Sequence, residues 1–415
     1  MISTQMGENM SENKNFTINA TGCCLVDTIY QGISFSTNEF KGLMRTPDDP
    51  RGLTPGQLVF REDLEEMSEL SLDEIVCRLN KHAVLPVKNI GGPAIVALIA
   101  ASQMLENKAV SISFSQFFGN DENGQLILNI LKNSAPNISI SHYTEVQEST
   151  AETLVLSDPD FDEGEGGGER TFINTIGSAG LFTPQDLSEN FFSADMVLFG
   201  GTGLTPIIHE NLTELLQKAH EKDAITIVTT VYDFLNEKKS SGTHWPLGRS
   251  VKSYQLIDLL ITDKEEAMRL SGQDSVEKAI VQFRKWGLGA VVITSGANPV
   301  CGYADPGNKI FKVEKTLNIP VSALVDKEIA EGLVGGDTTG CGDNFAGGVI
   351  TSIASQLTDG GAKGMLKLSE AVQLGVCTGG AARYHIGGVM QEEKAGMKND
   401  LVNRLFAAYK EQKQK

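Results

Sequence analysis

Cysteine and positive charge are scarce in this chain, and each scarcity excludes something. Of 415 residues only 6 are cysteine. Cys23 and Cys24 are adjacent, but no Cys-Xaa-Xaa-Cys pair or disulfide-like spacing occurs, so the thiols read as reduced and buried. Lys and Arg number 35 against 53 Asp and Glu, a formal charge of -18. That balance offers no net attraction to a phosphate backbone and excludes nonspecific nucleic-acid binding. It also disfavours small substrates that already carry phosphate, unless local cations such as Arg61 or Arg170 override it. No apolar run reaches the length that crosses a bilayer, and the opening MISTQMGENMSENKN lacks the basic start and apolar centre of a secretory signal. The expectation is a soluble cytoplasmic protein with no membrane partner. Internal repeats, coiled-coil heptads and the phosphate-loop pattern Gly-x4-Gly-Lys-Ser/Thr are absent too, which sets aside P-loop kinases.

What is present is a chain 40% hydrophobic, enough for one large core or two modest ones. Apolar β-rich runs alternate with helical patterns. A strand is expected over Ile18 to Val26 with Asp27 after it, a helix after Gly92, and strands near Ile112, Val197, Ile225 and Val291. Such alternation predicts an α/β fold whose mainly parallel sheet is covered on both faces and binds ligands at its C-terminal strand ends. Residues 28–88 are longer than a simple crossover needs. They contain RTPDDPRGLTPG, loop-like, then EDLEEMSELSLDEIVCRLN, which reads as an acidic surface helix. Asp160 to Glu169, DFDEGEGGGE, reads as an exposed turn.

The densest chemistry lies in Gly335 to Gly348, GGDTTGCGDNFAGG. Gly340, Cys341 and Gly342 carry little side-chain bulk, so their backbone N–H groups can converge on a ligand. Phe345, Ala346, Gly347, Gly348, Val349, Ile350 and Ile353 follow at helical spacing and predict a buried helix beginning near Asp343. A helix N-terminus leaves N–H groups unpaired and carries partial positive charge, which favours a phosphoryl oxygen. Asp343 at that terminus is expected to stay ionised at neutral pH. It could accept a hydroxyl proton in phosphoryl transfer, whose loose transition state asks more for positioning than for early proton removal. The plainer reading is a helix cap after a glycine loop.

DTTGCGDNFAGG closely resembles the C-terminal signature of the ribokinase-like, or phosphofructokinase-B (PfkB), carbohydrate kinases, with Cys341 where alanine is usual. Other segments resemble that family in order. Asp27 falls where the family's first strand ends in an aspartate that grips substrate hydroxyls. Gly91 and Gly92, in NIGGPAIVALIAA, resemble the glycine pair lying against the sugar, although Val96 stands where an asparagine is expected. FFGNDENG, Phe117 to Gly124, resembles a strand-to-turn segment, and GERTF, Gly168 to Phe172, a returning lid strand.

The resemblance also implies roles for later residues. Asp233, in TTVYDF, falls near the phosphate and metal region; equally, it reads as a strand-end cap. In DKEEA, Glu266 matches the glutamate that acts through magnesium-bound water, while Asp263 replaces an asparagine. An acidic first helical turn is ordinary by itself. The added carboxylate either strengthens metal attraction or repels the nucleotide phosphates. Thr294 and Gly296, in AVVITSGANP, match the segment beside the nucleotide, and otherwise read as a core strand with a turn. Asp337 and Thr339 match positions that hold a monovalent cation in many members, or else bond locally in a turn.

The fold so implied is ribokinase-like: a doubly wound, mainly parallel sheet flanked by helices, with a small β lid drawn from parts of 28–88 and 143–175. A flexible segment 1–17 would precede a kinase domain over 18–415. The implied activity is transfer of a phosphoryl group from ATP, with magnesium and in some members potassium, to a hydroxyl of a small sugar or sugar-like acceptor. A homodimer through the lid is also implied. Two alternatives stand beside it: a nucleoside kinase of the adenosine-kinase branch, and a sugar- or nucleotide-binding member without turnover.

Overall fold

Seven strands of the large sheet run parallel, and four of them, Met196–Gly200, Ile225–Thr229, Leu259–Asp263 and Ala290–Ser295, read as near-continuous apolar runs because both of their faces are covered. The structure is a computed structural model, describing residues 15–413 except 83, 143–144, 162–167 and 241. Along strand Met196–Gly200, Met196 and Leu198 join one hydrophobic core while Val197 and Phe199 join another on the opposite face. The first core is closed by helices Pro93–Met104, Cys341–Thr358, Leu368–Ala381 and Met397–Gln412; the second by helices Leu212–Glu221, Lys264–Ser271 and Val276–Lys285.

Among the described residues this sheet has nine strands. Phe16–Gly22 lies between Met196–Gly200 and Val110–Ser115. At one side of the sheet Asn298–Ala304 and the edge strand Glu314–Ile319 run antiparallel to their neighbours. Sequential connections run outward in both directions from Phe16–Gly22, so a crevice opens beyond its C-terminal end and that of Met196–Gly200. Here Gly22, at φ +130, is indispensable: a Cβ on it would lie 1.9 Å from the carbonyl oxygen of Gly200.

At that crevice the chain changes sheets. The strand expected over Ile18 to Val26 is two strands, Phe16–Gly22 in the large sheet and Leu25–Gln31 in a second one. Asp27 therefore lies within a strand rather than after one. The second sheet has the order Leu58–Phe60, Glu169–Thr175, Glu152–Asp158, Leu25–Gln31, Val87–Gly91 among the described residues. Glu152–Asp158 and Glu169–Thr175 are antiparallel, and the glycine-rich turn expected between them lies largely outside the described residues. Of the segment expected to be flexible, residues 1–14 also lie outside them, while Phe16 and Thr17 belong to the first strand.

EDLEEMSELSLDEIVCRLN forms two helices, Arg61–Ser68 and Leu72–Leu79, instead of one. Glu69 takes a left-handed conformation (φ 55), and Ser71 then starts the second helix through a reciprocal capping box with Glu74. No described helix is long and apolar enough to cross a membrane.

Candidate active site

Helix Cys341–Thr358 begins two residues earlier than its apolar spacing suggests, with Gly340 as N-cap at φ +72. A Cβ at Gly340 would lie 2.6 Å from the Cα of Gly388, so only glycine allows the loop to rest on its neighbour. The Cys341 N–H is already directed to the Thr338 carbonyl at 3.3 Å. The first helix-internal bond runs from Asn344 N–H to the Gly340 carbonyl (2.8 Å), which leaves the Gly342 and Asp343 amides ahead of the ladder. Of the three amides expected to converge, Gly340 to Gly342, that of Cys341 is thus directed back to the Thr338 carbonyl. Thr338, Thr339, Gly340, Gly342 and Asp343 line a cleft of 430 Å³, and Cys341 does not.

Asp343 is expected from its helix-terminal place to have its charged form favoured, but burial pushes its pKa up to about 6. It stays mainly ionised at pH 7 and is a stronger base than an exposed aspartate. Asp27 lines the same cleft. Its pKa is pushed up to about 7, first by burial, then by the charges of Asp343 and Asp337, against a lowering influence of Arg170. Gly91 lies directly beneath Asp27: a Cβ there would come within 2.2 Å of its Oδ2. Gly92, at φ +105, passes close to the Cys23 carbonyl and starts helix Pro93–Met104. Val96 is fully buried in that helix and would be 2.9 Å from a Cβ at Gly388; it belongs to the core and not to the cleft wall.

Asp263 ends strand Leu259–Asp263 and caps helix Lys264–Ser271. Its Oδ1 accepts the Glu266 N–H at 2.8 Å, and Glu266 reaches back to the Asp263 N–H at 3.4 Å. Glu266 is buried, accepts hydrogen bonds from Thr230 and Thr262, and has its pKa raised by burial and by Asp263. Two carboxylates and two hydroxyls at a strand end form a hard oxygen donor set, suited to a divalent ion held mainly through water and phosphate oxygens. Among the described residues no three His, Cys, Asp or Glu side chains cluster as a complete metal site.

Thr294, whose hydroxyl donates to the Thr262 carbonyl at 3.5 Å, lines both this cleft and an adjoining one of 830 Å³ that also includes Asp263 and Gly296. Gly296 has φ +54 and open space around its Cβ position. Asp337 makes the local turn: its Oδ1 accepts the Thr339 N–H (3.1 Å) and its Oδ2 the Thr339 hydroxyl (2.8 Å). Asp233 caps helix Phe234–Lys239, accepting from Asn236 N–H at 3.0 Å, and lies 3.5 Å from the buried His209 ring, which the sequence reading passed over. Asp121, in FFGNDENG, caps helix Glu122–Ser134 and also accepts from Thr150; it does not line the cleft.

Arg170 comes from strand Glu169–Thr175 of the second sheet and donates from Nη1 to the Thr339 hydroxyl at 2.8 Å. It thereby brings a cation to a cleft whose other charged lining residues are Asp27, Asp263, Glu266 and Asp343. Phe172, Tyr232, Phe234, Leu25, Leu58 and Val155 give the cleft an apolar and aromatic wall.

The family model for pfkB family carbohydrate kinases matches residues 78–394. The chain belongs to this family. Solved pfkB-like folds agree across nearly the whole length. An adenosine kinase from Sinorhizobium meliloti superposes with a TM-score of 0.65 at 16% identity, covering 95% of this chain and 99% of that one. A ribokinase from Thermotoga maritima gives 0.58 at 16% identity, with 94% and 99% covered. A candidate ribokinase II from E. coli, solved with ATP and Mg2+, gives 0.59 at 16% identity and the same coverage. The fold is therefore ribokinase-like, with the large sheet and flanking helices that the sequence implies.

Proposed function

We propose that the protein transfers the γ-phosphoryl group of ATP to a hydroxyl of a sugar-bearing acceptor. One observation carries this reading: the raised-pKa carboxylates of Asp343 and Asp27 share a cleft with the uncommitted amides at the start of helix Cys341–Thr358. Asp27, seated on Gly91, would accept a hydrogen bond from the acceptor and fix which hydroxyl faces Asp343. Asp343 would take that hydroxyl's proton, and the Gly342 and Asp343 amides would hold the oxygens of the group in flight. Arg170 would offset part of the negative charge that the cleft accumulates when a nucleotide enters. Magnesium, when bound, would neutralise phosphate charge, and Asp263 and Glu266 would hold it through water. The second sheet would act as the lid that keeps water from the reacting group.

A nucleoside is the second acceptor class, favoured by the wall of Phe172, Tyr232 and Phe234, which offers a flat base an apolar surface that a bare sugar does not need. The test is ATP turnover with magnesium against pentoses, hexoses, sugar acids and nucleosides, for the natural protein and its Asp343→Asn variant. Turnover with one acceptor, reduced about 10³-fold or more in the variant with KM little changed, is the expected result. Ligand-induced thermal stabilisation without turnover would instead indicate a binding protein.

A further inference from the structure

Lysine 398 is the most deeply buried cation of the described chain, 1% exposed, and no carboxylate lies within ion-pair distance of it among the described pairs. Such a charge is costly unless its hydrogen bonds matter. Its ammonium donates to Oδ1 of Asn344, the residue immediately after Asp343. That bond fixes the Asn344 amide with its NH2 turned the other way, and both of the resulting bonds go to backbone carbonyls. Asn344 Nδ2 donates to the Gly340 carbonyl at 2.8 Å and to the Gly388 carbonyl at 2.8 Å. The first is the N-cap of the helix; the second belongs to the loop on which that cap rests.

The loop Arg383–Val389 supports the whole DTTGCGD segment. The Arg383 carbonyl accepts the Gly336 N–H at 2.9 Å, and the Gly387 N–H is 3.4 Å from Asp337 Oδ1. From the other side, buried Asn89 donates to the Ile386 carbonyl at 2.8 Å and the Val389 carbonyl at 2.9 Å. Asn89 pairs directly with Asp27 across the second sheet. One hydrogen-bonded strut therefore runs from the strand pair carrying Asp27, through 386–389, to Asn344 and the start of helix Cys341–Thr358. Lys398 stands at its far end.

We propose that Lys398 is a positioning residue for the anion hole, acting through Asn344 to fix the Gly340 carbonyl against the 386–389 loop and so to set the direction of the Gly342 and Asp343 amides. This rests on the phosphoryl-transfer reading above. The alternative is that Lys398 only stabilises the fold, and its predicted signature differs. If it positions the hole, Lys398→Met lowers kcat about 10- to 100-fold with the KM for ATP within about twofold. Asn344→Asp keeps a partner for the ammonium and the side-chain volume but removes the NH2 that bridges both carbonyls; it should give the same loss. The double variant should be no worse than the poorer single one, because the two residues act in series.

Hydrogen exchange supplies a readout that does not need turnover. In both variants the amides of 338–344 and 386–389 should exchange faster while those of the core strand Met196–Gly200 stay protected. Faster exchange everywhere in Lys398→Met, with unchanged exchange and turnover in Asn344→Asp, would overturn the proposal in favour of a purely structural lysine. Losses that multiply in the double variant would also overturn it. Absence of turnover in the natural protein would defeat the kinase reading alone, since the exchange comparison decides the strut by itself.

Discussion

Asp27 and Asp343 set the pH behaviour of the molecule in two opposite directions. Both folded-state pKa values, about 7 and about 6, lie above the ordinary carboxylate value. Each group therefore favours folding most where it is protonated: its contribution is complete below about pH 4 and is lost as the pH rises through about 6 to 7. The unliganded protein should accordingly lose stability between about pH 4 and pH 7, and Asp27→Asn should recover about 1–2 kcal/mol at about pH 8, read from urea unfolding at about pH 4 and pH 8. Equal stability of the two proteins at about pH 8 would show that Asp27 is better solvated than its burial implies. Turnover runs the other way. A base must be ionised, so kcat/KM should climb with pH through about 6, and a flat profile from about pH 5 to 8 would remove Asp343 from that role. The place of Asp343 near a helix start was legible in sequence because its signal is local, a carboxylate after small residues. Its raised pKa was not, since that comes from desolvation in the folded cleft.

Within the loop and helix that carry Asp343, neighbouring glycines have different reasons to be glycine. Gly340 is left-handed and pressed on Gly388, whereas a Cβ on Gly342 would meet nothing within 4 Å. Gly340→Ala should cost about 1–3 kcal/mol of stability and most of the activity, while Gly342→Ala should be neutral or stabilising by up to about 1 kcal/mol. Thermal unfolding of the two variants side by side checks this, and equal destabilisation would mean that the loop does not rest on 386–389. Gly347 and Gly348 serve packing: a Cβ on the first would meet Ala100 at 2.7 Å and on the second Thr378 Oγ1 at 2.5 Å, so the three helices around the first core approach closely. Strand and helix types were readable along most of the chain because apolar periodicity is strong there. The misread boundaries have local causes that periodicity does not encode: Gly22 hands the chain to a second sheet before Asp27, and left-handed Glu69 splits a helical pattern in two. Asn89 and Asn344 lie inside quoted motif segments without any sign there of their bonding, and Lys398 lies in none; the contact from Lys398 to Asn344 spans 54 positions, and only the folded chain brings them together.

Across the whole molecule, the two sheets meet over the cleft, and the Arg170 to Thr339 hydrogen bond is a polar tie between them. It spans 169 positions and joins a strand of the second sheet to the loop before helix Cys341–Thr358. Its cation also faces Asp27, whose charge it favours. With a net charge of -18, the protein as a whole repels nucleotide, so this one guanidinium bears more of the local electrostatics than a surface arginine would. If the second sheet is a lid, removing the tie should leave it more open and leave the incoming phosphates less compensated. Arg170→Met should then lower kcat/KM for ATP by about 10- to 100-fold, with faster exchange of amides in Leu25–Gln31 and Leu58–Phe60, and Arg170→Lys should recover only part of it because a point charge cannot reproduce the guanidinium fork. A selective rise in exchange without loss of turnover would make Arg170 a structural tie only. Loss of turnover with unchanged exchange would make it a charge-compensating group whose contact with Thr339 is incidental, and would return the task of closing the cleft to the ligands themselves.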